Sequence, residues 1–152
     1  MGGAMERLFY FTMVILTVAF IVSGCGITTS ITPAEHVEIW SVINRYLNSL
    51  FSLQYSQAKA CLYPGGPTDK NLDVVYGQIE SVFSYYINIG CPPGVAFEIT
   101  NIYLMGQQAF AEIGDVTVCM ACSLVGTSCE TSDMYSGQGM LLEKYNGQWL
   151  IY

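Results

Sequence analysis

Between Leu8 and Val22 the chain carries no charged residue, and the run stops at Ser23-Gly24-Cys25. At 1.5 Å of helical rise per residue these fifteen residues reach about 22 Å, short of the roughly 30 Å hydrocarbon layer that a spanning helix must cross. That length suits the apolar region of a secretory signal peptide. The flanks agree in part: Arg7, partly offset by Glu6, precedes the run, and two small residues close it. The reading survives if translation starts at Met5. Residues 1–24 are therefore expected to direct export and be removed, so that everything from Cys25 onward works outside the cytoplasm.

Val22-Ser23-Gly24-Cys25 resembles the lipobox of bacterial lipoproteins, in which a branched apolar residue and two small ones precede a cysteine. The resemblance implies that the Cys25 thiol receives a diacylglycerol and becomes the mature N-terminus, with palmitate-like chains as the membrane anchor. Each buried methylene adds about 0.8 kcal/mol, so two chains hold a small domain where one would not. The expected location is the extracytoplasmic side of a cell membrane or an outer membrane. Gly26, where retained inner-membrane lipoproteins have Asp, points to the latter in a two-membrane cell. The competing reading is a plain signal anchor with an incidental cysteine.

Residues 25–32 read as a tether and residues 33–152 as one domain, a size that buries enough surface for a core without metal. Glu6 and Arg7 cancel, so the part after the leader keeps the whole net charge of −7. This balance argues against nucleic acid, whose affinity comes from neutralised phosphates, and against a polybasic grip on anionic lipid.

Thr32-Pro33-Ala34-Glu35 carries the capping-box pattern with proline at the first helical position. Ile39, Trp40, Ile43, Tyr46, Leu47 and Leu50 then recur at helical spacing to about Phe51. A short helix is expected over Gln57 to Leu62, closed by Tyr63-Pro64-Gly65-Gly66-Pro67. A third begins near Asp69 or Asn71 and shows Leu72, Val75, Tyr76, Ile79, Val82, Phe83 and Tyr86 on one face. After Gly90-Cys91-Pro92-Pro93-Gly94 the residues turn β-branched and aromatic. Val95 to Leu104 with a bulge at Asn101, and Ala109 to Leu124 with a kink at Gly114-Asp115, read as strands. Gly126 to Asp133 reads as a polar loop, and Asn146-Gly147 turns the strand Gly139 to Tyr145 into Gln148 to Tyr152. Helices followed by an antiparallel meander make an α+β domain, with N-terminal helices packed on a curved sheet of about four strands. Trp40, Ile43, Leu47, Ile79, Phe83, Phe97, Val118 and Trp149 are its expected core.

This succession, closing on Leu142, Lys144, Asn146, Gly147 and Trp149, resembles the NTF2-like (cystatin-like, SnoaL-type) superfamily over Ile39 to Tyr152. The resemblance implies a bent sheet wrapped around helices into a cone whose mouth can hold a ligand. Some members are isomerases, dehydratases or polyketide cyclases, and many are non-catalytic binding or dimerising domains, so fold does not give function. No acid-base pair of an enzymatic member matches here. His36, the sole histidine, falls in the first turn of helix one and reads as solvated, and Glu98, Glu112, Asp115 and Glu143 sit on strands of undecided facing. Trp40, Tyr46, Tyr76 and Tyr103 are candidates to line a pocket, although core aromatics are the commoner use. No catalytic residue, metal site or cofactor is assigned. The expected partners are the membrane and an unidentified protein or small ligand. A binding or interaction module is the leading reading, with an enzyme in the same cone or a structural part of an envelope assembly as alternatives.

Five cysteines follow Cys25, a density that in an exported protein implies disulfides. Cys119 and Cys122 lie three apart on a strand, hence on opposite faces, which disfavours both a bridge between them and a thioredoxin-type motif. The expected pairs are Cys122 with Cys129 and Cys61 with Cys91, leaving Cys119 as a small buried hydrophobe.

Overall fold

The computed structural model describes residues 31–122, 126–132 and 138–152. Helix α1 (Pro33–Phe51) starts as its sequence dictates: the Thr32 hydroxyl accepts from the Glu35 N–H at 3.2 Å, and Glu35 Oε2 accepts from the Thr32 N–H at 3.2 Å. Helix α2 (Tyr55–Lys59) begins two residues before its expected start and is only one turn long. It is cut short by a pairing with the C-terminal strand. Residues 61–63 leave the helix to run beside that strand, with the Ile151 N–H donating to the Cys61 carbonyl at 2.9 Å and the Tyr63 N–H to the Ile151 carbonyl at 2.7 Å. Helix α3 (Pro67–Asn88) opens at Pro67, again at the position where no N–H is needed. Leu53, between α1 and α2, is in the left-handed region at φ 56°, and its carbonyl accepts from the Tyr76 hydroxyl of α3 at 2.7 Å.

Five antiparallel strands follow rather than four: β1 (Pro93–Met105), β2 (Gln108–Cys122), β3 (Gly126–Ser132), β4 (Gln138–Tyr145) and β5 (Gln148–Ile151). The order is β1-β2-β4-β5, and β3 pairs with β2. β3 pairs with Val116 to Cys122 and β4 with Gln108 to Ile113, so the two lie end to end along one edge of β2. The register of β1 on β2 slips twice, once with an extra residue in β2 at Gly114-Asp115 and once in β1 at Thr100. These bulges bend the sheet where β3 gives way to β4. The first is the kink expected from sequence, and the second lies one residue before the expected Asn101. Gly126 to Ser132, expected as a loop, is a strand whose Thr127, Ser128, Cys129 and Thr131 are all exposed. An edge strand whose side chains are polar on both faces has no apolar alternation to betray it.

The helices pack on the inner face of this sheet. Ile39, Ile43, Tyr46 and Leu50 of α1 and Leu72, Val75, Ile79 and Phe83 of α3 meet Val95, Leu104, Ile113, Leu142, Trp149 and Ile151. Fully burying each large aliphatic contributes roughly 1.5–3 kcal/mol. Ala109 and Ala111 near the start of β2 are completely buried, small enough to let the helices close on the sheet. Asn48 ties the layers: its Oδ1 accepts from the Val95 N–H at 3.2 Å and its Nδ2 donates to the Val95 carbonyl at 3.3 Å. Of the expected core, Ile43, Ile79, Phe83 and Trp149 are buried, whereas Leu47, Phe97 and Val118 are half-buried. Trp40 is 41% exposed, because it lies on the flank of the apolar stripe and rests on the partly open Phe97.

Candidate functional site

The cysteines that the sequence left ambiguous are decided by strand register. Cys119 stands directly opposite Cys129 in the β2–β3 ladder, and these two are bridged with their Cα atoms 4.0 Å apart. Extending the β1–β2 register two residues past Pro93↔Met120 places Cys91 opposite Cys122, and these form the second bridge, Cα atoms 4.1 Å apart. Both expected pairs, Cys122 with Cys129 and Cys61 with Cys91, are thus corrected. The alternation along β2 sends Cys122 to the inner face towards buried Cys91 and Cys119 to the other face, so each finds a different neighbour. Cys61 stays reduced and completely buried, its Sγ accepting from Arg45 Nε at 3.1 Å and donating to the Gln57 carbonyl at 3.3 Å. Burial pushes this thiol up, and the Arg45 guanidinium opposes the shift.

The four expected pocket residues do not converge. Tyr46 is sealed in the core, where burial and then the nearby Cys61 thiol push its phenol up. Tyr76 is spent between the helices, its ring edge-on to Tyr55 at 5.1 Å and its hydroxyl on Leu53. Tyr103 is 41% exposed on the outer face of the sheet, beside Phe110. Trp40 alone stands at the open part of the inner face, nearly parallel to Phe97 with ring centroids 6.0 Å apart. His36 is exposed at the helix start, as expected. Cys25 lies outside the described residues.

Around Phe97 the inner face is only half-buried, and here the structure brings forward a residue that was expected in a loop. Phe97 pairs with Val116, Val95 with Val118, and Val118 with Glu130 of β3, so these side chains share one face. Glu130 Oε2 is buried and has no hydrogen-bond partner among the described residues. A buried carboxylate oxygen beside Val118 can accept a hydrogen bond from a ligand that supplies the donor. Among the described residues no group of three or more His, Cys, Asp or Glu forms a metal site.

A second concavity lies elsewhere, over α2 and the β4–β5 hairpin. This open depression of about 470 Å³ is lined by Tyr55, Lys59, Leu62, Pro64, Asp69, Tyr145 and Leu150 among others. Lys59 Nζ stands 4.0 Å from Asp69 Oδ1 and 5.8 Å from the centre of the Tyr55 ring, and Tyr145 meets Tyr63 edge-on at 5.4 Å.

Solved structures superpose on this arrangement of helices over a bent antiparallel sheet. Aln2 from a Streptomyces species superposes with a TM-score of 0.62 over 81% of this chain and 89% of its own, at 12% identity. A protein of unknown function with a cystatin-like fold from Nostoc punctiforme gives 0.53 over 81% and 90%, at 14% identity. The fold is cystatin-like. An NTF-2 like protein of unknown function from Shewanella oneidensis aligns more loosely, TM-score 0.41 over 76% and 93% at 14% identity. No family model matches the chain, and no curated protein matches it.

Proposed function

We propose that this chain is an exported, lipid-anchored cone domain that binds a small ligand or partner without transforming it. The observation that carries the exported half is the pair of cross-strand disulfides, because such bridges persist in oxidising compartments and not in a reducing cytosol. They agree with the leader at Leu8 to Val22 and with Cys25 as the acylated residue. The binding half rests on the inner face, where Trp40 stacks on the half-buried Phe97 and, on the far side of β2, Glu130 stands beside Val118 with an oxygen that has no partner among the described residues.

The test is the intact mass, under non-reducing conditions, of protein extracted from membranes of the source cell. A chain beginning at Cys25, carrying a diacylglyceryl group and lacking four thiol hydrogens, is the expected result. An uncleaved or unacylated chain overturns the anchor, and four alkylatable thiols besides Cys61 overturn the export argument. A second reading, an enzyme in the same cone, is favoured by the same Glu130 carboxylate. Turnover of any small metabolite that Glu130→Gln abolishes would establish it.

A further inference from the structure

We infer that the first three turns of α1 form the face on which the domain rests against the bilayer that holds its anchor, an inference that builds on the lipid-anchored reading above. Helical residues advance by 100°, so Pro33, Ala34, Val37, Trp40 and Ser41 fall within roughly 120° of one another, centred on Val37. All five are exposed, with Val37 at 63% and Trp40 at 41%, and none is charged. This strip lies opposite the Ile39 and Ile43 side that is buried in the core, and exposed His36 and Glu38 mark its two borders. The helix is therefore apolar towards the sheet, polar at its flanks and charge-free on its outer side. A solvated surface helix normally carries its charges on that outer side.

The length of chain before the helix says what covers the strip. Ile31 packs against the core, so only the six residues Cys25 to Ser30 separate the acylated position from the domain, and six residues span at most about 20 Å. The acyl chains leave from Cys25, and Val37 and Trp40 lie within about 12 Å of Thr32 along the helix axis. A tether this short keeps the start of α1 at the headgroup level. An indole presenting one face to Phe97 and the other outward has the apolar body and polar edge that settle at a membrane interface. From Pro33 to Asn44 the helix has no Lys or Arg, and the chain carries a net −7, so the contact is made by apolar and indole surface and not by attraction to anionic lipid.

The acylated full-length protein, its diacylglyceryl group verified by mass, is placed in phosphatidylcholine vesicles whose acyl chains are brominated, and indole emission is read. Two tryptophans contribute, and Trp149 is 2% exposed beneath the helices. The expected result is quenching in the parent, unchanged by high salt, that disappears in Trp40→Phe. Acylated protein that is not quenched, or whose quenching survives Trp40→Phe, overturns the inference while leaving the anchor intact. A blue-shifted but unquenched Trp40 assigns the strip to a protein partner or a second copy and likewise overturns it. A mass without the acyl group overturns the anchored reading and the seat with it.

Discussion

Replacing Cys91 and Cys122 together by Ala should destabilise the domain more than replacing Cys119 and Cys129, and the structure gives the margin. The first bridge links residues 31 apart in sequence and the second residues 10 apart. On the loop-entropy model these lengths correspond to about 3.7 and 2.7 kcal/mol at 25 °C. Removing both members of each pair avoids leaving an unmatched thiol free to exchange. For a domain of this size 1 kcal/mol corresponds to about 4 °C in Tm, so the drops expected are roughly 15 and 11 °C. Urea unfolding followed by circular dichroism reads the free energies directly, and its slope should rise in both variants because the unfolded chain without a cross-link exposes more surface. Loss of both bridges removes about 6 kcal/mol, comparable with the whole stability of an ordinary domain, so reduced protein should unfold near body temperature. If the Cys119/Cys129 variant loses as much as the Cys91/Cys122 variant, or either loses under about 1 kcal/mol, the register-based pairing or the entropic account of it is wrong.

Gly139→Ala should lose about 1–3 kcal/mol, because a Cβ there would collide with the Phe110 ring and stand 2.6 Å from the Ala111 carbonyl oxygen; an unchanged urea midpoint would refute the close approach. Trp149→Ala should cost about 3–5 kcal/mol by the same assay, and parental stability would show that its burial carries no weight. The Glu35 carboxyl is held below its ordinary value by the Thr32 backbone, the Thr32 hydroxyl and Lys144. Its contribution to stability is therefore present above about pH 4.5 and lost as pH falls through the folded value, and a pH–Tm profile of Glu35→Gln should lack that part of the acid limb. The Cys61 thiol shifts the other way, so its contribution is present below the ordinary thiol value of 9.0 and lost as pH rises through the folded value. Iodoacetamide should modify Cys61 only after unfolding, and rapid labelling of native protein would contradict its burial.

What the sequence conveys well here is whatever a local rule governs. The capping box at Thr32 and Glu35 forms as read, and Asn146 and Gly147 adopt the positive φ values of 50° and 82° that make the last hairpin tight. Trp40 shows the limit of periodicity: it belongs to the helical stripe, yet the stripe is wider than the contact surface and its edge stays open. β3 is hidden from the sequence because pairing with β2, not apolar alternation, makes it a strand, and with it go both Glu130 and the partner of Cys119. The opposite facing of Cys119 and Cys122 is legible from their spacing. Which residue each meets is not, since that depends on a register set by the strands and their bulges together. Tyr46, Tyr76 and Tyr103 are alike as ring-bearing residues, and only packing assigns one to the core, one to a helix contact and one to the outer face.

The strand that runs beside residues 61–63 also sets a timetable. Ile151 is held by the Cys61 carbonyl, the Tyr63 N–H donates back to Ile151, and the Tyr152 carbonyl accepts from the Thr68 hydroxyl. Residues 61–63 and the first turn of α3 are thus held by residues more than eighty positions later in the chain. Until those residues arrive, the edge of the sheet and the start of α3 have nothing to close on, and the emerging chain stays open. The mutual placement of α2 and α3 therefore waits on contacts of high sequence separation, which makes closure of this end of the domain a late step of folding.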